Sequence, residues 1–233
     1  MNRNYNALIL KSVKITAGAI LAILFASCLN LKYSATAGII TILSIQNTKK
    51  ETIQTALARG EAFCCALLVS FLCYNFFDYT TAAFGIYLLI FTTLCLIMKW
   101  SSAIAMDSVL ITHFLAEKTM NISMITNEIS LFLIGAGIGV LLNLSLRPKE
   151  NEWKDKIAKA DESIRAIIQR MAERIRTLDR TNYDGSCFLL LDKQLSTAKS
   201  LALTNMDNTL GTPSCAELDY VQMREFQSQV LRQ

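Results

Sequence analysis

Three ionisable side chains lie in or beside apolar runs, and any chemistry of this sequence starts from them. Asp107 sits inside the run Ser101–Ala116, His113 lies toward the far end of that run, and Glu128 opens the next one, Ile129–Leu146. A carboxylate at the centre of a bilayer costs about 2.5–3.5 kcal/mol on insertion scales, so Asp107 is expected to face protein or water and to serve as a proton-coupling group. The alternative is a structural carboxylate bonded to the hydroxyls of Ser101, Ser108 and Thr112. His113 and Glu128 are secondary candidates, and for both interfacial solvation is the favoured reading. His113 and Glu117 are four apart and can pair on one helix face. Asp107 and His113 are six apart, about 120° in azimuth and about 9 Å along an axis, so they make no direct pair.

No nucleophile–base pair, metal-ligand set or nucleotide loop is present, so no catalytic residue, no metal and no cofactor is expected, and the chain does not read as an enzyme. Seven cysteines, five of them inside apolar runs, and one histidine argue against zinc or a disulfide framework. No basic cluster with interleaved aromatics points to nucleic acid.

The elements that must position these groups are helices in lipid. The 233 residues are 52% hydrophobic and only 18% charged, against roughly 25% charged in soluble domains. Residues 1–146 hold 9 Lys/Arg and 6 Asp/Glu, whereas 147–233 hold 14 and 13. The expected fold class is all-α: a polytopic membrane protein with six transmembrane helices over 1–148, then a cytoplasmic helical bundle over 149–233. The spans are read as Ile15–Leu31, Tyr33–Gln46, Gly60–Phe77, Thr80–Met98, Ser101–Ala116 and Ile129–Leu146, with Lys49–Arg59 a polar connector. Further apolar spans follow the first, so it is not read as a cleaved signal peptide. With both ends inside, inner flanks carry nine Lys/Arg and outer flanks only Lys32 and Lys118, as the positive-inside rule requires.

The second span is short, about 21 Å by helix rise. Ser34, Gly38, Thr41 and Ser44 fall on one side of it, with Gln46 at its end, opposite Ile39, Ile40, Ile42 and Leu43. With Ser108 and Thr112, that stripe is a candidate pathway lining. The competing reading, which weighs more, has these hydroxyls bonded back to helix carbonyls against a packed neighbour. Gly18 and Ala22, and the GxxxG pair Gly135 and Gly139, are expected helix-packing positions.

In the tail, Trp153, Ile157, Ala160, Ile164, Ile167, Met171, Ile175 and Leu178 make a helical seam, and Phe188, Leu191, Leu195, Ala198 and Ala202 make a second. A third helix begins near Ser214 and reaches Gln233 without a stop signal, so the domain is expected to be truncated.

The stretch Ala37–Lys50, AGIITILSIQNTKK, resembles the signature of the aromatic acid exporter family of bacterial membrane proteins, relatives of the fusaric-acid-resistance proteins. Asn127-Glu128, the glycine-rich run and Asn143-Leu144 before Pro148 are similar to its last-span pattern. Asp219-Tyr220-x-x-Met223-Arg224-x-x-Gln227 resembles the pattern YY-x-x-Y-x-MR-x-x-Q of its cytoplasmic domain, with Val221 and Gln222 departing from it. The resemblance implies efflux of small aromatic carboxylic acids or related amphiphilic toxins across the bacterial plasma membrane. No ATP-binding motif is present, so the proton gradient is the expected drive. Membrane lipid, a small organic anion and a second copy of the chain are the expected partners. The competing class is a membrane-anchored structural or regulatory protein whose helical tail binds partners.

Overall fold

The structure is a computed structural model that describes residues 2–146, 148–177, 185–209 and 214–232. Among the described residues the chain is entirely helical, with nine helices and no strand. It divides into two compact units, Met1–Leu146 and Arg147–Gln233.

The first unit holds α1 (Asn2–Cys28), α2 (Ala35–Ser44), α3 (Lys49–Phe77), α4 (Thr81–Ile97), α5 (Ile104–Glu117) and α6 (Ile122–Leu144). Leu8–Cys28, Lys49–Phe77 and Ile122–Leu144 are long and apolar enough to cross a membrane, and Ser34–Ser44 and Thr81–Ile97 are shorter apolar helices. The unit is apolar on its outside. Leu68, Phe76, Leu89 and Leu141 are each more than 65% exposed, while alanines and glycines line the contacts of α1, α2 and α6, and Tyr74, Tyr87, Phe91 and Phe114 fill those of α3, α4 and α5. A surface of that kind suits lipid rather than water.

Local chemistry sets the helix ends. Thr48, Thr80 and Asn121 each accept a hydrogen bond from the backbone N–H three residues on, starting α3, α4 and α6. Lys118 closes α5 at φ 50°, a left-handed residue that caps the last turn. The expected connector Lys49–Arg59 is not separate from the span after it. The Thr48 cap starts a single helix of 29 residues, and no proline interrupts it. At about 43 Å that helix exceeds a hydrocarbon core of about 30 Å.

α2 has only 10 residues, about 15 Å of rise. It is wedged between α1 and α6 at positions that lack side chains. A Cβ on Gly135 would lie 2.6 Å from Ile40 Cβ and 2.7 Å from the Ala37 carbonyl, and one on Gly139 would lie 2.6 Å from Ser44 Cβ. Gly38 meets Ile23 and the Ala19 carbonyl, and Gly18 meets Leu142 and Thr41. Ala22 is fully buried in the same region. Ile40 differs from its expected outward position. It is 1% exposed, because it fills the space that Gly135 leaves.

The second unit holds α7 (Glu150–Thr177), α8 (Ser186–Asp207) and α9 (Ala216–Leu231). Its core joins Ile157, Ala160, Ile164 and Ile167 to Phe188, Leu191, Leu195, Ala198 and Val221. Asn205 ties the ends: its Oδ1 accepts from Lys149 N at 2.6 Å and its Nδ2 donates to Glu217 at 2.9 Å. The α8 end therefore meets the starts of both α7 and α9, giving an up-down-up bundle. The α7 seam is shorter than its sequence pattern. Ile175 is 77% exposed, and Leu178 lies outside the described residues.

Candidate functional site

Asp107 occupies the first turn of α5, its N–H bonded to the Ala103 carbonyl at 2.9 Å. The free N–H dipoles of a helix start favour a negative charge there. The side chain is 0% exposed, beside Met106, Leu110 and Ile111, which are also buried. Neither carboxylate oxygen has a hydrogen-bond partner. The nearby hydroxyls do not supply one. Thr112 is half-buried and donates to the Val109 carbonyl at 2.6 Å, and Ser101 is exposed. Ser108 Oγ and Tyr87 OH are neighbours without hydrogen-bond geometry, and both remain unpartnered.

The cation whose field reaches Asp107 is Arg59 of α3, only 5% exposed. It makes no ion pair with Asp107. Its Nε donates to the Ser102 carbonyl at 3.1 Å and its Nη1 to the Leu43 carbonyl at 2.9 Å. The guanidinium thus caps the end of α2, where the helix dipole is negative. In the sequence Arg59 is one of the inner flanking charges, and a lone arginine beside an apolar run carries no stronger signal.

His113 and Glu128 are not solvated at an interface. They are 7% and 0% exposed, and His113 Nδ1 lies 2.7 Å from Glu128 Oε2. The cause is the α1–α2 corner, which folds over them. Tyr33 stacks on the His113 ring at 4.0 Å and 2°, and Thr36 Oγ1 lies 3.4 Å from His113 Nε2. Asn127 latches the corner, accepting from Lys32 N at 2.8 Å and donating to the Lys32 carbonyl at 3.2 Å and to Glu128 at 3.0 Å. Glu117 does not pair with His113; it takes Lys32 Nζ at 2.8 Å and Tyr33 OH at 3.2 Å. Asp107 and His113 share α5 but belong to separate clusters, and buried Ile40, Leu110 and Leu131 form part of one apolar cluster in the same unit.

The α2 stripe packs on its neighbours. Thr41 is fully buried and donates to the Ala37 and Gly135 carbonyls at 2.9 and 3.0 Å. Ser44 is 3% exposed with Oγ unpartnered, and Ser34 is half-buried. Gln46 Nε2 donates to the Leu43 carbonyl at 3.2 Å, and the Gln46 carbonyl accepts from Asn143 at 2.7 Å. Asn143 also donates to Thr52 Oγ1, which fastens the start of α3 to the end of α6. No cluster able to hold a metal ion occurs among the described residues.

Apolar outer faces around buried, partly unpaired charges define a membrane-integral helical protein. Residues 7–146 match the model described as "Aromatic acid exporter family member 1", and residues 150–233 match "Putative aromatic acid exporter C-terminal domain". The chain belongs to the aromatic acid exporter family. It is 31% identical over 224 residues to a Bacillus subtilis (strain 168) protein named "Uncharacterized protein YqjA", covering 95% of this chain and 68% of the relative. No solved structure matches. Membrane transport and efflux are the family's character, which suggests a transporter rather than an enzyme.

Proposed function

We propose that the protein exports small aromatic carboxylic acids, or related amphiphilic toxins, in exchange for protons, with Asp107 as the proton-coupling group. The observation that carries this reading is the Asp107 carboxylate, fully buried with both oxygens unpartnered. A carboxylate in that state changes its interactions greatly when it gains or loses a proton, which coupling requires. Inside-negative potential favours both halves of the exchange. An anion leaving and a proton entering each gain about 2.3 kcal/mol per 100 mV.

In this reading six helices of the first unit span the plasma membrane of a bacterium, with both termini and the α7–α9 bundle in the cytoplasm. The short α2 and α5 are sheltered by their neighbours rather than matched to the bilayer. Two copies assemble, because transporters commonly combine two six-span sets and this chain supplies one. Cross-linking in native membranes is expected to trap a dimer; a monomer alone, in membranes and in mild detergent, contradicts that assembly. The exporter reading is tested by growth of a deletion strain on a panel of aromatic carboxylic acids. Wild-type chain restores resistance and Asp107→Asn does not, at equal membrane levels.

The competing reading, a membrane-anchored module, draws on the tail. Ile168, Phe226 and Val230 are about half or more exposed and line an apolar groove of about 420 Å³ between α7 and α9. Resistance that survives Asp107→Asn but is lost on disrupting that groove favours this reading.

A further inference from the structure

Asp107 is not the only buried group in its region left without a partner. Tyr74 of α3, Tyr87 of α4 and Ser108 of α5 also bury an oxygen that makes no hydrogen bond. Tyr74 and Tyr87 are 3% and 0% exposed. Buried polar groups are almost always satisfied by protein or by ordered water, so these orphans are places where bound water would find partners.

At the turn between α3 and α4 lies a polar cavity of about 200 Å³, bordered by Asn75, Asp78 and Tyr79. Tyr74 lines it and stacks on Tyr79 at 5.0 Å. Tyr74 lies three residues from the end of α3 and Tyr87 six residues into α4, about 4.5 and 9 Å from that turn. Tyr74 and Tyr87 pack in one core cluster that reaches Ile111 of α5, and Tyr87 has Tyr74, Ser108 and Asp107 as electrostatic neighbours.

We propose that Tyr74, Tyr87 and Ser108, bridged by bound water, form the proton path between the Asp78 cavity and Asp107. This rests on the reading of Asp107 as the coupling group. A proton enters from water at the cavity. Each hydroxyl passes its own proton onward as it takes another, and the last proton rests on a carboxylate oxygen of Asp107; no other bond forms or breaks. The titratable and charged groups facing Asp107 are Arg59 from α3 and Tyr87 and Cys95 from α4. α2 brings none. On α5 itself, His113 is engaged with Glu128 of α6. The path is therefore a line of hydroxyls that leads to Asp107, and Tyr74 and Tyr87 relay protons along it with bound water rather than bind the exported acid.

The test uses the full chain in proteoliposomes, with benzoate as the probe, an internal pH dye and an imposed pH gradient. Tyr87→Phe and Tyr74→Phe remove one unpartnered oxygen each and keep the ring packing. Both are expected to slow benzoate-dependent proton entry, Tyr87→Phe by about tenfold or more, with benzoate affinity unchanged. Asp107→Asn that behaves as wild type overturns the coupling reading, and the path with it. Asp107→Asn that is inactive while both tyrosine variants match wild type overturns the path alone. Radiolytic hydroxyl labelling adds a readout independent of transport. Internal water is expected to label Tyr74, at the cavity, and Tyr87, while Phe114, 0% exposed like Tyr87, stays unmodified; failure to label either tyrosine shows a dry interior and overturns the proposal.

Discussion

Asp161 in the tail and Asp107 in the membrane unit are both carboxylates set against apolar cores, and the chain treats them differently. Asp161 Oδ2 accepts from Tyr220 OH at 2.8 Å, and its Oδ1 forms an ion pair with Arg224 Nε at 2.8 Å without hydrogen-bond geometry. Arg224 also donates to Tyr220 OH at 2.7 Å and to Gln227 at 2.8 Å, and sits 5.0 Å above the Tyr220 ring. The family pattern Tyr220-x-x-x-Arg224-x-x-Gln227 is thus a polar staple from α9 to α7. A carboxylate used for structure in this chain has partners within 3 Å. Asp107 has none: neither of its carboxylate oxygens makes a hydrogen bond to a protein group. The contrast separates a fastened charge from one left to change state.

The largest effect expected from this contrast is functional. Asp107→Asn keeps shape while removing the charge, so export falls to background and folded levels hold or rise, since an unpaired buried charge is removed. Asp161→Asn does the reverse. It leaves export intact per folded molecule and weakens the tail by about 1 kcal/mol, discounted because Asp161 and Arg224 are 27% and 23% exposed. Export assays beside unfolding of purified protein distinguish the two, and equal export loss in both variants breaks the comparison.

Packing gives a second contrast, between the tail seam and the contacts of α2. The tail core joins the α7 seam to α8 and α9, so Ile164→Asp, at a position 5% exposed, is expected to cost about 3 kcal/mol or more in lost burial and charge desolvation. Ile175→Asp, at 77% exposure on the same seam, is expected to change stability by about 0.5 kcal/mol or less. Thermal unfolding and assembly of both variants test where the seam ends.

Around α2 the membrane unit packs by omission, and there the damage comes from adding atoms. Gly135→Ala drives a methyl against Ile40 and the Ala37 carbonyl, and overpacking of that kind costs about 1–3 kcal/mol. Gly137, two residues away, has nothing within 4 Å of a Cβ, so Gly137→Ala is expected to be neutral or to gain up to about 1 kcal/mol from helix propensity. Equal loss in both would mean that glycine is needed for helix flexibility instead.

How far the sequence reveals this depends on the range of the interaction. Helix periodicity is local, so Ile157, Ala160, Ile164 and Ile167 on α7 and all five seam positions of α8 are legible, and they are buried. Ile175 carries the same period, but periodicity does not say where the partner helix ends. The shortness of α2 was legible from Gln46-Asn47; the fusion of Lys49–Arg59 into α3 was not, because polar composition does not itself break a helix. The buried His113–Glu128 pair joins residues 15 apart on different helices, under a corner from a third segment. Nothing in their local spacing encodes that cover. The small polar stripe beside Asp107 was visible, but its hydroxyls turn to their own helix or stay unpartnered, and only geometry reports which.

The weakest expected effect lies at that corner, where charges are paired but wet. Lys32 and Glu117 side chains are 56% and 28% exposed, so their pair is a tether rather than a source of much stability. The hydrogen bond from Lys32 holds the Glu117 carboxyl below the usual carboxylate range, and the bond to Glu117 holds Lys32 above the usual lysine range. Glu117, with its depressed value, stabilises the fold above the unfolded carboxyl pKa of about 4.3, and that contribution is lost as pH falls through the lower folded value. Lys32, with its raised value, stabilises fully below the unfolded lysine pKa of about 10.4, and that contribution is lost as pH rises through the higher folded value. The difference in unfolding temperature between wild type and Glu117→Gln should therefore be small and flat between about pH 5 and 10, and should shrink beyond either end. High salt should shrink it throughout. A difference that persists unchanged at pH 3 would mean that Glu117 acts through its bond from Tyr33 OH and not through charge, and the corner would then be fastened in the manner of Asp161.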